Sequence, residues 1–310
     1  MTLSGRPLAV LAAALAVALL ASCGDNDGPG AATTVVATTT QLGDMARAVA
    51  GSRAAVRQIL EPASDPHAYE PRPSDVRAVT GAKVVLRSGG DLDEWLGDVL
   101  RNAGSDARTL TILDELPGPR HDADGIDPHW WQNPRNAAVA VQRIRDALSA
   151  ADPAGRATYD ANAARYLVRL TALDGAIAGC MRRIPAGRRK LVTDHDALGY
   201  YADRYGIEVI GTVIPANSTQ ARASAGEVAR LVKTIRATGV TTIFPESSVN
   251  PKLTSAIARD AGARAGPALY ADSLGEEGSP GATYLGALRA NTQALVAGFS
   301  GGSERCSLPG

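Results

Sequence analysis

Residues 152–183 read DPAGRATYDANAARYLVRLTALDGAIAGCMRR, and this stretch decides the architecture. Asp152 followed by Pro153 is a helix-start signal, because proline is preorganised for the first helical position, where its missing N–H costs nothing. From there Tyr159, Ala163, Tyr166, Leu170, Leu173 and Ile177 recur at three- and four-residue spacing, one apolar stripe down a helix. Continued to Arg183, the pattern makes a rod of roughly 30 residues, about 45 Å long. A helix of that length can cross between two lobes, and the flanking sequence supplies them.

Upstream, short β-branched runs at 35–40, 55–60, 83–87 and 108–113 read as strands, with helices predicted over 41–49, 74–80, 91–101 and 134–149. Downstream, strands are predicted at 191–193, 208–214, 241–244 and 264–268, separated by helices at 197–205, 219–238 and 251–261 and followed by one at 283–298. The expected fold is therefore α/β: two βαβ lobes with mostly parallel sheets, 35–150 and 185–310, joined by one long interdomain helix over 151–184. Ligands of such sheets sit at the carboxyl ends of the strands, here in the cleft between lobes. A single connecting rod resists bending, so only a small lobe adjustment is expected on binding.

The N-terminus carries Arg6 and then an unbroken apolar run over 8–20, too short to span a bilayer comfortably, which marks residues 1–22 as a signal peptide. Leu20-Ala21-Ser22-Cys23 resembles the lipobox of bacterial lipoproteins, in which Cys23 is lipidated; the alternative is an ordinary secretory signal cleaved near Ala21. Residues 23–34, rich in Gly, Asp and Ala, read as a flexible tether. The protein is thus expected to be exported, lipid-anchored to the outer face of the cytoplasmic membrane or in the periplasm. Of the remaining cysteines, Cys180 and Cys306, an oxidising compartment favours a disulfide, but spacing alone does not decide whether they pair. No Cys-x-x-Cys motif offers a thiolate zinc site.

Acidic and basic residues balance at 32 each, so no charge excess steers the chain toward nucleic acid. Aromatic residues are only 4%, which argues against a sugar-stacking groove.

The chain has four histidines, and two share the tripeptide Asp-Pro-His, at His67 and His129. His195 follows the apolar run Lys190-Leu191-Val192-Thr193 at the end of a buried strand, and Asp272 lies in the loop after the last strand. Two ligands from each lobe would hold a cation in the cleft. Three imidazoles and a carboxylate suit zinc, and four protein ligands close its coordination sphere, which describes binding; a zinc hydrolase needs an open position for water. Glu246, also at a strand end, reads either as a partner orienting a ligand histidine or as a solvated acid. Asp65, Asp127, Asp194 and Asp196 flank the ligands and are candidates for similar roles. His121, in Arg120-His121-Asp122, reads as solvated.

The segments 65–71 (Asp-Pro-His-Ala-Tyr-Glu-Pro), 127–130 (Asp-Pro-His-Trp), 195–200 (His-Asp-Ala-Leu-Gly-Tyr) and 272–274 (Asp-Ser-Leu) together resemble the zinc and manganese solute-binding proteins of ABC importers, the ZnuA and TroA type. The resemblance runs over about 35–299. It implies that His67, His129, His195 and Asp272 are the metal ligands, that residues 153–183 form the interdomain helix, and that the chain is a receptor, not an enzyme. The implied cargo is zinc, with manganese or iron as the alternative, and the implied partners are an ABC permease and its ATPase, with the receptor a monomer tethered to the membrane. A surface adhesin or metal-sensing lipoprotein on the same fold is a further reading. The long His-rich loop of many zinc importers is missing from 114–127, and Leu198 stands where the family commonly has Phe.

Overall fold

The computed structural model describes residues 33–122 and 125–310. The signal-peptide and lipidation readings, Cys23 included, lie outside the described residues. In the first half, strands β1 (Thr33–Ala37), β2 (Ala54–Gln58), β3 (Val84–Arg87) and β4 (Arg108–Thr111) alternate with helices α1 (Thr40–Ala50), α2 (Pro73–Thr80) and α3 (Leu96–Ala103). All pair parallel in the order β2-β1-β3-β4. A two-residue hairpin, β5 (His121–Asp122) with β6 (Gly125–Ile126), then leads to α4 (Pro134–Ala151) and α5 (Arg156–Arg183).

The second half contains β7 (Lys190–Thr193), α6 (Gly199–Tyr205), β8 (Glu208–Thr212), α7 (Ala225–Thr238), β9 (Thr242–Ile243), α8 (Lys252–Ala261), β10 (Arg264–Ala265) and α9 (Tyr284–Ser300). β7 pairs with β8 and β9 with β10, all parallel, and a parallel bridge from Thr193 to Phe244 joins the two pairs. The resulting order, β8-β7-β9-β10, repeats that of the first sheet.

Burial on both faces explains the apolar runs. Alternation along β1 and β3 sends Val35, Ala37, Val84 and Leu86 into the large core under α1, α4 and α5, and Val36 and Val85 into a smaller core under α2 and α3. The large core continues through α5 to Leu191, Phe244 and Leu269, so Thr33–Gly310 form one compact unit around two sheets.

The six residues of the α5 stripe are all buried. Near its start Asn162 donates to the Val49 carbonyl of α1 (2.9 Å), while farther along Asp174 accepts a two-pronged Arg204 (3.0 and 2.6 Å) and the Tyr205 hydroxyl (2.8 Å) of α6. The rod therefore touches both halves. Asp152 does not cap it: its carboxylate takes Arg53 (2.7 and 2.9 Å) and the Tyr159 hydroxyl (2.8 Å), and a 3-10 turn over Pro153–Gly155 precedes the α-helix.

Several boundaries differ from the sequence expectation. β1 starts at Thr33, inside the stretch read as tether, and stops at Ala37 because Thr39 turns to cap α1. The helix expected from Asp91 begins at Leu96, since Asp93 instead accepts the N–H groups of Ser88 (2.6 Å) and Gly89 (3.0 Å). α7 begins at Ala225, at a capping box between Ser224 and Glu227, and not at Thr219. β10 ends at Ala265, just before Gly266 and a proline, which has no N–H to offer a ladder. Cys180 and Cys306 form a disulfide, with Cα atoms 5.7 Å apart, binding the chain after α9 to the end of α5.

Candidate metal site

His67 lies after β2, His129 after β4 and the small hairpin, His195 just after β7 and Asp272 after β10, all at carboxyl ends of strands. The structure brings the four together, with one ligand atom of each within 4.8 Å of all the others. The His129 Nε2 is 3.4 Å from that of His67 and 3.4 Å from that of His195. Asp272 Oδ2 lies 3.6 Å from His67 Nε2 and 3.2 Å from His195 Nε2, and Oδ1 3.4 Å from His129 Nε2. Four donors at bond lengths of 2.0–2.2 Å in a tetrahedron have edges of about 3.3–3.6 Å. Five of the six ligand-to-ligand spacings lie at 3.2–3.6 Å, those of a cage around one small cation.

Both Asp272 oxygens are buried, and no group outside the cage donates a hydrogen bond to either. A carboxylate stripped of water and left without donors is costly unless a cation faces it. Burial opposes its charge, but His195 and then His129 and His67 outweigh it and hold its pKa below the ordinary range.

The tripeptide Asp-Pro-His works in two ways. In both copies the aspartate accepts the backbone N–H of the histidine two residues on, from His67 to Asp65 at 3.0 Å and from His129 to Asp127 at 2.9 Å. Only Asp127 also takes the ring, accepting from His129 Nδ1 at 2.8 Å. Asp65 reaches instead to the Thr219 hydroxyl (2.7 Å) on the far side of the cleft. On His195, Glu246 accepts both Nδ1 (2.9 Å) and the backbone N–H (3.0 Å), so Glu246 is a buried partner and not a solvated acid. With Nδ1 turned toward a carboxylate, Nε2 of His129 and of His195 faces the cage and supplies its lone pair to a cation once it carries no proton.

Burial lowers the His67 pKa to about 3, keeping that imidazole neutral. At His195 burial works the same way, but Asp272 and Glu246 overcome it and raise the pKa well above 6.5. Asp194 accepts the Glu246 N–H (2.8 Å) and the Thr254 hydroxyl, and burial followed by the Glu246 charge pushes its pKa up to about 7. The Asp196 side chain makes no hydrogen bond to a ligand histidine. His121 is exposed and outside the cage.

Sequence reasoning missed the residues that grip the ligand loops. Arg120 binds Asp127 (3.0 Å), Asp122 (3.2 Å) and, across the cleft, Asp203 (3.2 Å). Gln41, Trp131 and Gln132 hold the backbone of 271–272. One signal was available: the polar run Thr38-Thr39-Thr40-Gln41 ends the central strand, and all four residues are buried.

Residues 35–298 match the family described as ZnuA, the periplasmic zinc-uptake complex component A. The chain belongs to this family. It is a substrate-binding receptor of a metal transport complex, exported and working with a permease and its ATPase, and not an enzyme. It is 32% identical to the manganese-binding lipoprotein MntA of Halalkalibacterium halodurans, over 92% of this chain and 96% of that one. It is 31% identical to the iron-binding protein YfeA of Yersinia pestis, over 86% of each. Among solved structures, the periplasmic zinc-binding protein TroA of Treponema pallidum superposes with a TM-score of 0.81 at 25% identity, over 87% of this chain and 99% of that one.

Proposed function

We propose that this receptor carries zinc, bound by His67, His129, His195 and Asp272, and releases it to the permease. The observation that supports this most is the buried Asp272 carboxylate, with no hydrogen-bond donor from outside the cage, facing three imidazole Nε2 atoms at 3.2–3.6 Å. A donor set of three nitrogens and a carboxylate favours zinc over the harder manganese ion. Glu246 and Asp127 orient His195 and His129. The functional units are a first lobe over 35–150, the linking helix over 151–184 and a second lobe over 185–310. Cys23 carries a lipid that holds the monomeric receptor at the membrane.

Manganese or iron is the second reading. It is favoured by the relatives named as manganese- and iron-binding, and by the two Asp272 oxygens both turned to the cage, which offer a fifth donor.

The test is metal analysis of the purified protein with competition titration of zinc against manganese, alongside melts with and without chelator. A binding cation stabilises by RT ln(1 + [L]/Kd), about 4 kcal/mol at a thousandfold excess over Kd. Superimposable melts would remove the ligand assignment, and tighter manganese than zinc would select the second reading.

A further inference from the structure

By sequence Asp272 follows the last strand of the second sheet, which would divide the cage two by two between the halves. The hydrogen bonds divide it differently. Up to Leu269 the segment belongs to the second sheet: the Leu269 N–H donates to the Pro245 carbonyl (2.8 Å) and its carbonyl accepts the Ser247 N–H (2.9 Å). Beyond Tyr270 it crosses over. The Ala271 carbonyl accepts Trp131 Nε1 (2.8 Å) and Gln132 Nε2 (2.7 Å), and the Asp272 carbonyl accepts Gln41 Nε2 (2.9 Å). The Leu274 N–H donates to the Thr40 hydroxyl (2.9 Å), and its carbonyl accepts the Ala63 N–H (2.8 Å). Farther on, the Tyr284 N–H donates to Asp44 in α1 (3.0 Å). Thr40, Gln41, Trp131 and Gln132 are themselves buried.

His195 shows the opposite attachment. Its N–H and Nδ1 go to Glu246, and its carbonyl accepts the Thr193 hydroxyl (2.8 Å) and the Ala197 N–H (3.0 Å), all in the second half. Among the described residues, the polar contacts that cross the cleft near the ligands include Thr219 to Asp65, Asn217 to Asp122 (2.9 Å), Arg120 to Asp203, the Arg120 N–H to the Tyr200 hydroxyl (2.7 Å) and the buried Tyr200 hydroxyl to the Asp127 carbonyl (3.3 Å), none of which holds the His195 side chain.

We infer that His67, His129 and Asp272 form a preassembled three-ligand half-site on the first lobe, with Gln41, Trp131 and Gln132 as its positioning residues, and that His195 alone closes the cage. This rests on the proposed ligand set. Capture then proceeds through a complex with three protein ligands, and release begins when the second lobe withdraws His195. A small rigid movement about α5 suffices for that, because only one ligand must leave.

The experiment is equilibrium titration with cobalt(II), whose visible spectrum reports coordination, on the full mature protein and on His67→Ala, Asp272→Ala and His195→Ala. Metal-free melts check that each variant is folded, and His195→Gln replaces the alanine variant if that one is not. The expected result is that the His195 variant still binds one cobalt ion, more weakly than wild type, while His67→Ala and Asp272→Ala bind about tenfold more weakly again or not at all. Gln41→Leu is expected to weaken cobalt binding about 10- to 100-fold, and by the same factor in the His195→Ala background. Equal loss in folded His195→Ala and Asp272→Ala variants overturns the inference, as does a Gln41 effect that disappears once His195 is gone. A wild type that binds no cobalt overturns the ligand set itself, a separate and recognisable failure.

Discussion

Glu246 grips His195 twice, accepting its backbone N–H at 3.0 Å and its ring Nδ1 at 2.9 Å, with both residues buried. One carboxylate thus fixes where the histidine sits, which way its ring turns and which nitrogen carries the proton. Glu246→Gln keeps the shape and removes the charge. Metal affinity is expected to drop about 10- to 100-fold, as for other carboxylates that orient ligand histidines. Competition titration against a chromogenic chelator measures this; an unchanged affinity would leave Glu246 with a purely structural role.

Metal binding at neutral pH should expel the proton of His195. His67, neutral because burial holds its pKa near 3, has none to give. His195, raised well above 6.5 by Asp272 and Glu246, is charged in the metal-free protein and must lose its proton to coordinate. Calorimetry in buffers of different ionisation enthalpy counts the protons, and a count of zero would contradict the His195 assignment.

The metal-free fold carries the matching signs. A histidine whose folded pKa is depressed is protonated first in the unfolded chain, so the His67 term is lost as pH falls from about 6.5 toward 3. His195, with its pKa raised, contributes below about 6.5 and loses that contribution as pH rises through its folded value. Melts of His67→Ala and wild type are expected to converge in acid relative to neutral pH. A constant difference over that range would exclude the His67 term.

Breaking the bond between Cys180 and Cys306, which lie 126 residues apart, should destabilise the fold by about 2–5 kcal/mol. Denaturant unfolding of Cys306→Ser beside wild type tests this. Cobalt affinity should stay the same, because the bond joins the end of α5 to the chain beyond α9 and neither cysteine belongs to the cage.

Arg120→Ala cuts the tie from Asp127, the partner of His129, to Asp203 across the cleft. Its guanidinium is partly exposed, so solvent screening tempers the effect on stability. The expected change is kinetic, with metal leaving about tenfold faster in stopped-flow chelation. Asn217→Ala, which loses the contact to Asp122, should act in the same direction; unchanged release in both variants would show that the rim contacts do not hold the cleft closed.

The α5 rod, the βαβ alternation and the strand ends that bear the four clustered side chains were legible because each depends on periodicity or on a local run. Tyr159 through Ile177 repeat at helical spacing whatever packs against them. The role of Asp152 was not legible: Asp-Pro marks a helix start, yet its carboxylate serves Arg53, which lies 99 positions away. The grip of Gln41 on Asp272 spans 231 positions and leaves no local pattern. β5 and β6 have two residues each, too few for any alternation to register, so the hairpin that follows Arg120 leaves no strand signal in the sequence.

The cross-link between α5 and the chain beyond α9 also sets an order of events. Thiols stay reduced in the cytoplasm and pair in oxidising compartments. For an exported receptor, the covalent closure of the chain beyond α9 onto α5 is therefore deferred until after translocation, so the polypeptide completes its maturation outside the cytoplasm.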